Sequence, residues 1–251
     1  MKNVYGGEKM FQAALWGGIA SLSLLIGAVM GIYLHISKRI VAYIMALGTG
    51  LIIGSATFDL LSEAEGKANL LHLTSMFLSG ALLFTLFEIF ISKKGGSERK
   101  RSKKNPHGHS GLAIYVGTIM DAIPESIIIG VSFIGDQSIQ WVFIIAIFIS
   151  NLPESLSSSI GFKLDDYSTR KILTLWGSVV VLSSLSSLLG YIFLQDASES
   201  ISYIIGAFGA GGLLAMVSST MLPEAFEEGG PIVGFLSSFG IILSFILTHI
   251  S

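Results

Sequence analysis

Two short segments place acidic and polar side chains in the middle of long apolar runs. The first reads Asp121-Ala122-Ile123-Pro124-Glu125-Ser126, and the second reads Ser150-Asn151-Leu152-Pro153-Glu154-Ser155. Residues four apart share a helix face, so Asp121 and Glu125 lie on one face and Ser150 and Glu154 on another. A carboxylate at membrane depth costs at least about 2.5 kcal/mol unless it faces a cavity, a partner or a cation. These segments are therefore the candidate functional site.

The donor atoms of this site are all oxygens. Asp121, Glu125, Asn151 and Glu154 are the expected ligands, and the Ser150 hydroxyl is a weak one. Each proline also leaves a carbonyl of the preceding turn without its usual N–H donor. Oxygen ligands suit hard or borderline divalent cations. Proton or monovalent-ion chemistry, and inert hydrogen bonding between helices, are the other interpretations of the same acids.

The rest of the chain is typical of a membrane protein. Its 251 residues are 51% hydrophobic and 13% charged, and the mean hydropathy is +0.73. The sequence predicts an all-α polytopic protein with eight transmembrane helices, because a helix satisfies its own backbone in lipid. The expected spans are 11–34, 40–62, 70–92, 111–134, 139–161, 171–194, 201–224 and 231–250. The absence of cysteine excludes disulfides, thiolate metal sites and thiol catalysis.

The distribution of positive charge predicts the orientation. Twelve of the 15 Lys and Arg residues fall on one side of the predicted spans, which indicates that this side is cytoplasmic and that both termini lie outside. Residues 93–110 are expected to form a flexible, basic cytoplasmic loop. It contains His107 and His109, which are interpreted either as part of a topology-setting loop or as a weak metal relay.

A weak internal repeat relates the second and seventh spans. Gly48 and Gly50 align with Gly209 and Gly211, and Glu63 aligns with Glu224 at the same spacing. The two spans run in opposite directions, so the pattern predicts an inverted repeat of three, two and three helices, typical of transporters. Asp59 and Glu63 are expected to attract the ion at the outer side, and Glu224 to receive it at the inner side.

The paired motifs resemble those of the ZIP (Zrt/Irt-like) divalent metal transporters. The fourth-span motif of that family reads His-Asn-x-Pro-Asp/Glu-Gly, and its fifth-span motif commonly reads His-Glu-x-Pro-Glu. Pro124, Glu125, Pro153 and Glu154 match, and the resemblance extends over nearly the whole chain. It implies metal ligation by the two glutamates, an elevator-like motion of the central spans, and uptake into the cytoplasm.

Several positions depart from the family pattern. Asp121 and Ser150 replace the two motif histidines, and Ala122 and Asn151 replace residues that hold a second ion in some members. The sixth span carries no acid where some members use one. These changes favour one ion over two, and shift the preference from Zn²⁺ toward Mn²⁺ or Fe²⁺.

The sequence predicts a transporter of Zn²⁺, Mn²⁺ or Fe²⁺ in a bacterial-type cytoplasmic membrane. A membrane metal sensor or scaffold without flux, and a proton-coupled carrier of another small solute, are the alternatives. No nucleophile–base pair or phosphate-binding glycine loop indicates an enzyme, and no prosthetic group is expected. The expected partners are the transported cation and the lipid bilayer, with no nucleic acid, and a homodimer is compatible with the sequence.

Overall fold

The computed structural model describes residues 2–91, 93, 110–134 and 140–250. All regular structure in these residues is helical, which confirms the predicted all-α class. The helices are α1 (Lys2–Tyr33), α2 (Lys38–Ser55), α3 (Leu70–Ile91), α4 (Ser110–Val131), α5 (Trp141–Leu164), α6 (Thr169–Leu194), α7 (Glu199–Met216), α8 (Leu222–Gly229) and α9 (Ile232–Ile250). A π-helical segment, Ala56–Leu61, continues α2, and a second, Val217–Met221, joins α7 to α8.

The helices form eight rods, because the π-helical segments make α2 longer and fuse α7 with α8. In the described part of the chain, seven of these rods are long and apolar enough to cross a membrane. The eighth, α4, has 22 residues and contains the first carboxylate motif. Large apolar side chains such as Phe193, Phe235 and Leu82 remain more than half exposed, as expected of surfaces that face lipid rather than water. The protein is therefore a multi-pass membrane protein.

Local sequence signals set several helix ends. Ser37 precedes α2 in an extended conformation, and its hydroxyl accepts a hydrogen bond from the Ile40 N–H. Ser168 caps α6 in the same way through the Lys171 N–H. Both satisfy an N–H of the first turn that has no partner within the helix. At the end of α8, Gly230 adopts a positive φ of 68°, where a side chain would be strained, and Pro231 follows.

The helices differ strongly in how far they are enclosed. In the most apolar stretch of α5, 72% of residues are buried, against 11% for α3. α5 packs mainly against α1 and α2, while α4 packs mainly against α6. α3 packs along α7, and α2 packs along α9. α5 is therefore the central helix, and α3 lies at the periphery.

Glycines allow the closest helix approaches. A Cβ on Gly50 of α2 would collide with the Ser237 carbonyl oxygen of α9, and a Cβ on Gly211 of α7 would collide with the Phe77 carbonyl oxygen of α3. Gly50 and Gly211 are equivalent in the sequence repeat. The same alignment pairs Ala56 with Val217, where the two π-helical segments begin. The weak sequence repeat thus corresponds to matching helix crossings and matching local distortions.

Candidate metal centre

α4 carries three buried polar side chains on one face. Thr118, Asp121 and Glu125 follow one another at spacings of three and four residues, which align along a helix. They are 3%, 6% and 3% exposed, respectively, so none is solvated by bulk water. α4 remains helical through Pro124, which supplies no N–H to the Met120 carbonyl.

α5 contributes two further buried polar groups. Asn151 and Glu154, three residues apart, are 5% and 3% exposed, and α5 also stays helical through Pro153. Ser150 has a different environment: it lies where α5 crosses α2, against Gly48, and its hydroxyl donates to the Ile147 carbonyl oxygen. In this conformation Ser150 acts in helix packing.

A hydrogen bond connects the two motif helices. The Thr118 hydroxyl of α4 donates to the Glu154 carboxylate of α5 at 3.3 Å. α4 and α5 otherwise touch over a small area, because each packs mainly against other helices. Sequence reasoning missed Thr118, although its position one turn before Asp121 was a usable signal. This contact places Glu154 beside the acidic face of α4.

The motif side chains do not form a compact acidic cluster. Within the described residues, no three His, Cys, Asp or Glu side chains lie close enough to hold one metal ion. Asn151, however, has a buried amide nitrogen without a hydrogen-bond partner in the described part of the chain. A 180° turn of that amide would put its oxygen in the same place. The available donors near Glu154 are therefore carboxylate, amide and hydroxyl groups.

A cavity of about 200 Å³ borders the α4 acids. Asp121 and Glu125 form part of its wall, and the remainder comes from α3, α4 and α7 and is almost wholly apolar. Phe84, Phe87 and Phe208 supply aromatic surface. The sequence did not predict that α3 and α7 would line this cavity, because the residues that they contribute to it are all apolar.

Asp59 lies in the protein interior, within the π-helical segment that continues α2. It is 3% exposed, and its carboxylate accepts hydrogen bonds of 2.6 Å from both the Ser55 and the Thr248 hydroxyls. Thr248 belongs to α9, so this carboxylate joins two helices. π-Helical distortions are frequent at functional sites, because they redirect side chains from the regular helix faces.

Glu63 lies one turn beyond Asp59 and outside the membrane-spanning helix. Burial raises the pKa of the Glu63 carboxyl, and the nearby Asp59 carboxylate raises it further. The Lys67 ammonium and a hydrogen bond with Gln140 oppose that change in pKa. Lys67 itself donates to the Tyr203 hydroxyl at 2.8 Å and lies over the Tyr203 ring. A fixed cation therefore stands beside the acid that is predicted to attract the metal.

Glu224 lies on α8, where α2, α5 and α8 meet. It accepts a hydrogen bond from the Ser157 hydroxyl of α5 at 3.2 Å. Glu224 lines a second, small cavity, and there Lys38 and Glu228 form an ion pair of 3.5 Å. Glu224 is thus in contact with the helix that carries Glu154. The remaining predicted residues, His107 and His109, lie outside the described residues.

Comparison with known proteins gives one relevant similarity. The chain is 24% identical over 208 residues to a protein of Arabidopsis thaliana that is named as a candidate zinc transporter. The matched region covers 82% of this chain but 33% of the plant protein, so the chain spans about a third of the length of that relative. A match over 208 residues of this 251-residue chain includes a large share of the membrane-spanning helices. No protein-family model matches the chain.

Proposed function

We propose that this protein transports a divalent transition-metal ion across the membrane. The observation that carries the proposal is the junction of α4 and α5, where Thr118 meets Glu154 beside the buried carboxylates Asp121 and Glu125. Retaining three acids in a lipid-embedded interior is costly unless they serve a cation or a proton. The similarity to a protein named for zinc transport supports the cation over the proton.

The proposed ligands are Asp121, Glu125, Asn151 and Glu154. Two ionised carboxylates would neutralise one divalent ion, and a third would then bind a proton or leave excess charge in a medium of low dielectric. The Asn151 amide supplies a neutral oxygen once it turns. All these donors are oxygens, so Mn²⁺ and Fe²⁺ join Zn²⁺ as proposed cargo. We infer that a single ion binds at a time.

The proposed path has an outer and an inner acid. Asp59 and Glu63 would attract the ion from outside, and Glu224, linked to α5 by Ser157, would receive it inside. The charge distribution of the loops predicts a cytoplasmic-membrane protein with both termini outside, and the inward direction of transport is what the resemblance to ZIP transporters implies. An elevator-like motion of the central spans against the other helices would open the site to each side in turn, as the resemblance to ZIP transporters implies.

Flux into proteoliposomes tests the proposal. A metal-quenched dye inside the vesicles reports the initial rate for Mn²⁺, Fe²⁺, Zn²⁺, Co²⁺ and Mg²⁺. We expect saturable flux for one or more transition metals, with a loss of more than tenfold in Glu125→Gln. Removing one charged partner from a buried site costs about 2–5 kcal/mol, and about 1.4 kcal/mol is already tenfold.

The alternatives give different results in the same vesicles. A metal sensor would bind metal in detergent without flux in vesicles. A proton-coupled carrier of another solute would acidify or alkalinise the vesicles independently of added metal. Either outcome, with the protein correctly inserted, would overturn metal transport.

A further inference from the structure

The Asp59 residue borders another small cavity, at one end of the helix bundle. This cavity has a volume of about 20 Å³, which is room for one water molecule or one bare cation. Three polar residues that line it stand at helix ends: Ser132 directly follows α4, Gln140 directly precedes α5, and Ser202 lies in the first turn of α7. The cavity is therefore close to the membrane surface, where an ion can enter from water.

Two residues that line this cavity each have an oxygen atom without a hydrogen-bond partner in the described part of the chain. One is the Ser202 hydroxyl, on a side chain that is 5% exposed, and the other is the Gln140 amide oxygen. The Gln140 side chain forms a hydrogen bond with Glu63. Because a carboxylate only accepts, the amide nitrogen is the donor in this bond and the oxygen remains. Burying a polar atom without a partner is costly, so both oxygens indicate a ligand in the cavity.

Asp59 adds a negative charge to these two oxygens. It is 3% exposed, and it accepts hydrogen bonds from the Ser55 and Thr248 hydroxyls, which stabilise the charge without neutralising it. A carboxylate has about four lone-pair positions, so these two hydrogen bonds leave positions for a cation. Beside Asp59, the charges of Glu63 and Lys67 offset each other. With both acids ionised, the group of Asp59, Glu63 and Lys67 therefore carries one net negative charge.

The charge and the size of the cavity select one class of ligand. The Gln140 oxygen and the Asp59 carboxylate both offer lone pairs, which repel an anion. A water molecule can donate to them but leaves the net charge unbalanced. A divalent cation would leave an excess positive charge in a medium of low dielectric, and an organic cation is too large for the volume. A small monovalent cation meets every condition, and oxygen ligands at distorted membrane helices bind Na⁺ in other transporters.

We propose that this cavity binds one Na⁺ ion through the Asp59 carboxylate, the Gln140 amide oxygen and the Ser202 hydroxyl. The Ser132 hydroxyl, which donates to the Ile129 carbonyl oxygen, keeps lone pairs for the same ion. The ion joins the π-helical segment after α2 to the end of α4 and the start of α7. The site is distinct from the acids of α4 and α5, and Asp59 assists metal entry only when Na⁺ has left.

Binding of ²²Na⁺ to the intact protein in nanodiscs of uncharged lipid measures this site directly. The buffer contains choline as the other cation, at pH 8 and without divalent metal, and empty nanodiscs give the background. We expect saturable binding with one Na⁺ per chain. Absence of saturable binding would mean that the cavity holds water, and would overturn the proposal. Neither result depends on whether the protein moves metal ions.

Competition separates a Na⁺ site from an entry site for the transported metal. We expect unlabelled Na⁺ to displace the label, and Mn²⁺ to displace it only at a higher concentration than Na⁺. Displacement by Mn²⁺ at an equal or lower concentration would mean that the cavity holds a divalent ion, and would contradict the proposal.

A matched pair of serine variants tests the location. Ser202→Ala removes a hydroxyl without a hydrogen bond in the described part of the chain, and should lower the Na⁺ affinity about fivefold through the loss of one neutral ligand. Ser79→Ala is the control, because the exposed Ser79 hydroxyl bonds within α3, and it should retain full affinity. Asp59→Asn removes the charge and should lower the affinity at least tenfold.

Thermal unfolding gives a second measurement on the same variants. A ligand that binds the folded state raises the unfolding midpoint, so the unaltered protein and Ser79→Ala should unfold at a higher temperature in Na⁺ than in choline. Ser202→Ala should keep its midpoint in choline, because no hydrogen bond is lost, and should gain less from Na⁺. Equal gains in Ser202→Ala and Ser79→Ala, or equal Na⁺ affinities, would place the ion elsewhere and overturn the proposal.

Discussion

Carboxylates in this protein are joined to neighbouring helices through hydroxyl groups. Thr118 donates to Glu154, Thr248 donates to Asp59, and Ser157 donates to Glu224. A hydroxyl can stabilise a carboxylate without adding a positive charge that would compete with a metal ion. These pairs were not predictable from the sequence, because each joins residues far apart along the chain. The carboxylates themselves were identifiable, since a charged residue inside an apolar run stands out.

The Asp59–Thr248 pair predicts a stability effect. Thr248→Val removes a hydroxyl that donates to the buried Asp59 carboxylate at 2.6 Å. Loss of a partner from a buried charged group costs about 1.5–3 kcal/mol, so the midpoint of thermal unfolding in detergent should fall by several degrees. Thr74→Val is the control, because the exposed Thr74 hydroxyl bonds only within its own helix. Equal midpoints for the two variants would contradict this role of Asp59.

Glu63 predicts a pH effect of definite sign. Burial raises its pKa above the ordinary value of 4.5, so the folded state holds the proton more tightly than the unfolded state. The raised pKa therefore favours folding below 4.5, and this advantage is lost as pH rises through the folded-state pKa. Relative to Glu63→Gln, the unaltered protein should lose stability across this window. Urea unfolding of both proteins at pH 4, 5, 6 and 7 measures the difference, and a difference that does not vary with pH would refute the prediction.

The membrane helices were easier to predict from the sequence than the side-chain contacts between them. Apolar runs separated by short polar turns define membrane helices directly, because the bilayer fixes their length. The repeat between the second and seventh spans was also visible, since it rests on glycines. The two π-helical segments, Ala56–Leu61 and Val217–Met221, were not predicted, because an extra residue in a helical turn leaves no composition signal. Asp59 lies in the first of these segments, so the sequence did not predict that this acid stands on a π-helical turn.

The close helix crossings predict opposite effects of the same substitution. Gly80→Ala would place a methyl group on the Phe208 carbonyl oxygen of α7, and overpacking of this kind costs about 1–3 kcal/mol. Gly177→Ala has no neighbour within 4 Å and should stabilise α6 by about 0.5–1 kcal/mol, because alanine loses less backbone entropy. Thermal unfolding of both variants in one detergent tests the contrast. If Gly80→Ala does not destabilise the protein, α3 and α7 do not pack as closely as this crossing requires, and if Gly177→Ala destabilises it, the position of Gly177 is not open.

At the scale of the whole molecule, the carboxylates lie on helices that are held by different neighbours. α5 packs against α1 and α2. α4 packs along α6 and, together with α3 and α7, lines the cavity of about 200 Å³. The sequence predicted that α4 and α5 carry the site, but it could not predict this division of contacts, which depends on tertiary packing. It also could not show that, among the described residues, no three acidic side chains come close enough in this conformation to hold one metal ion.

Metal binding should therefore draw α4 and α5 together. The chain has no cysteine, so Val116→Cys and Ile145→Cys introduce unique labelling sites on α4 and α5, at positions that are 41% and 39% exposed. Double electron–electron resonance between spin labels there should give a shorter mean distance with saturating Zn²⁺ than without it. The same labels in a Glu154→Gln background should show no change. An identical distance distribution with and without metal in the unaltered background would contradict a closing motion.

The central claim is that a metal ion crosses the membrane through the site between α4 and α5. The most direct test is the initial rate of metal entry into vesicles that contain the Glu154→Gln variant. Glu154→Gln keeps the size of the side chain and its contact with Thr118, and Glu8→Gln at the exposed start of α1 is the matched control. We predict that Glu154→Gln loses more than nine-tenths of the initial rate for the best-transported metal, while Glu8→Gln keeps the full rate. If correctly inserted Glu154→Gln transports metal as fast as the control, the ion does not pass between α4 and α5, and the proposed site is wrong.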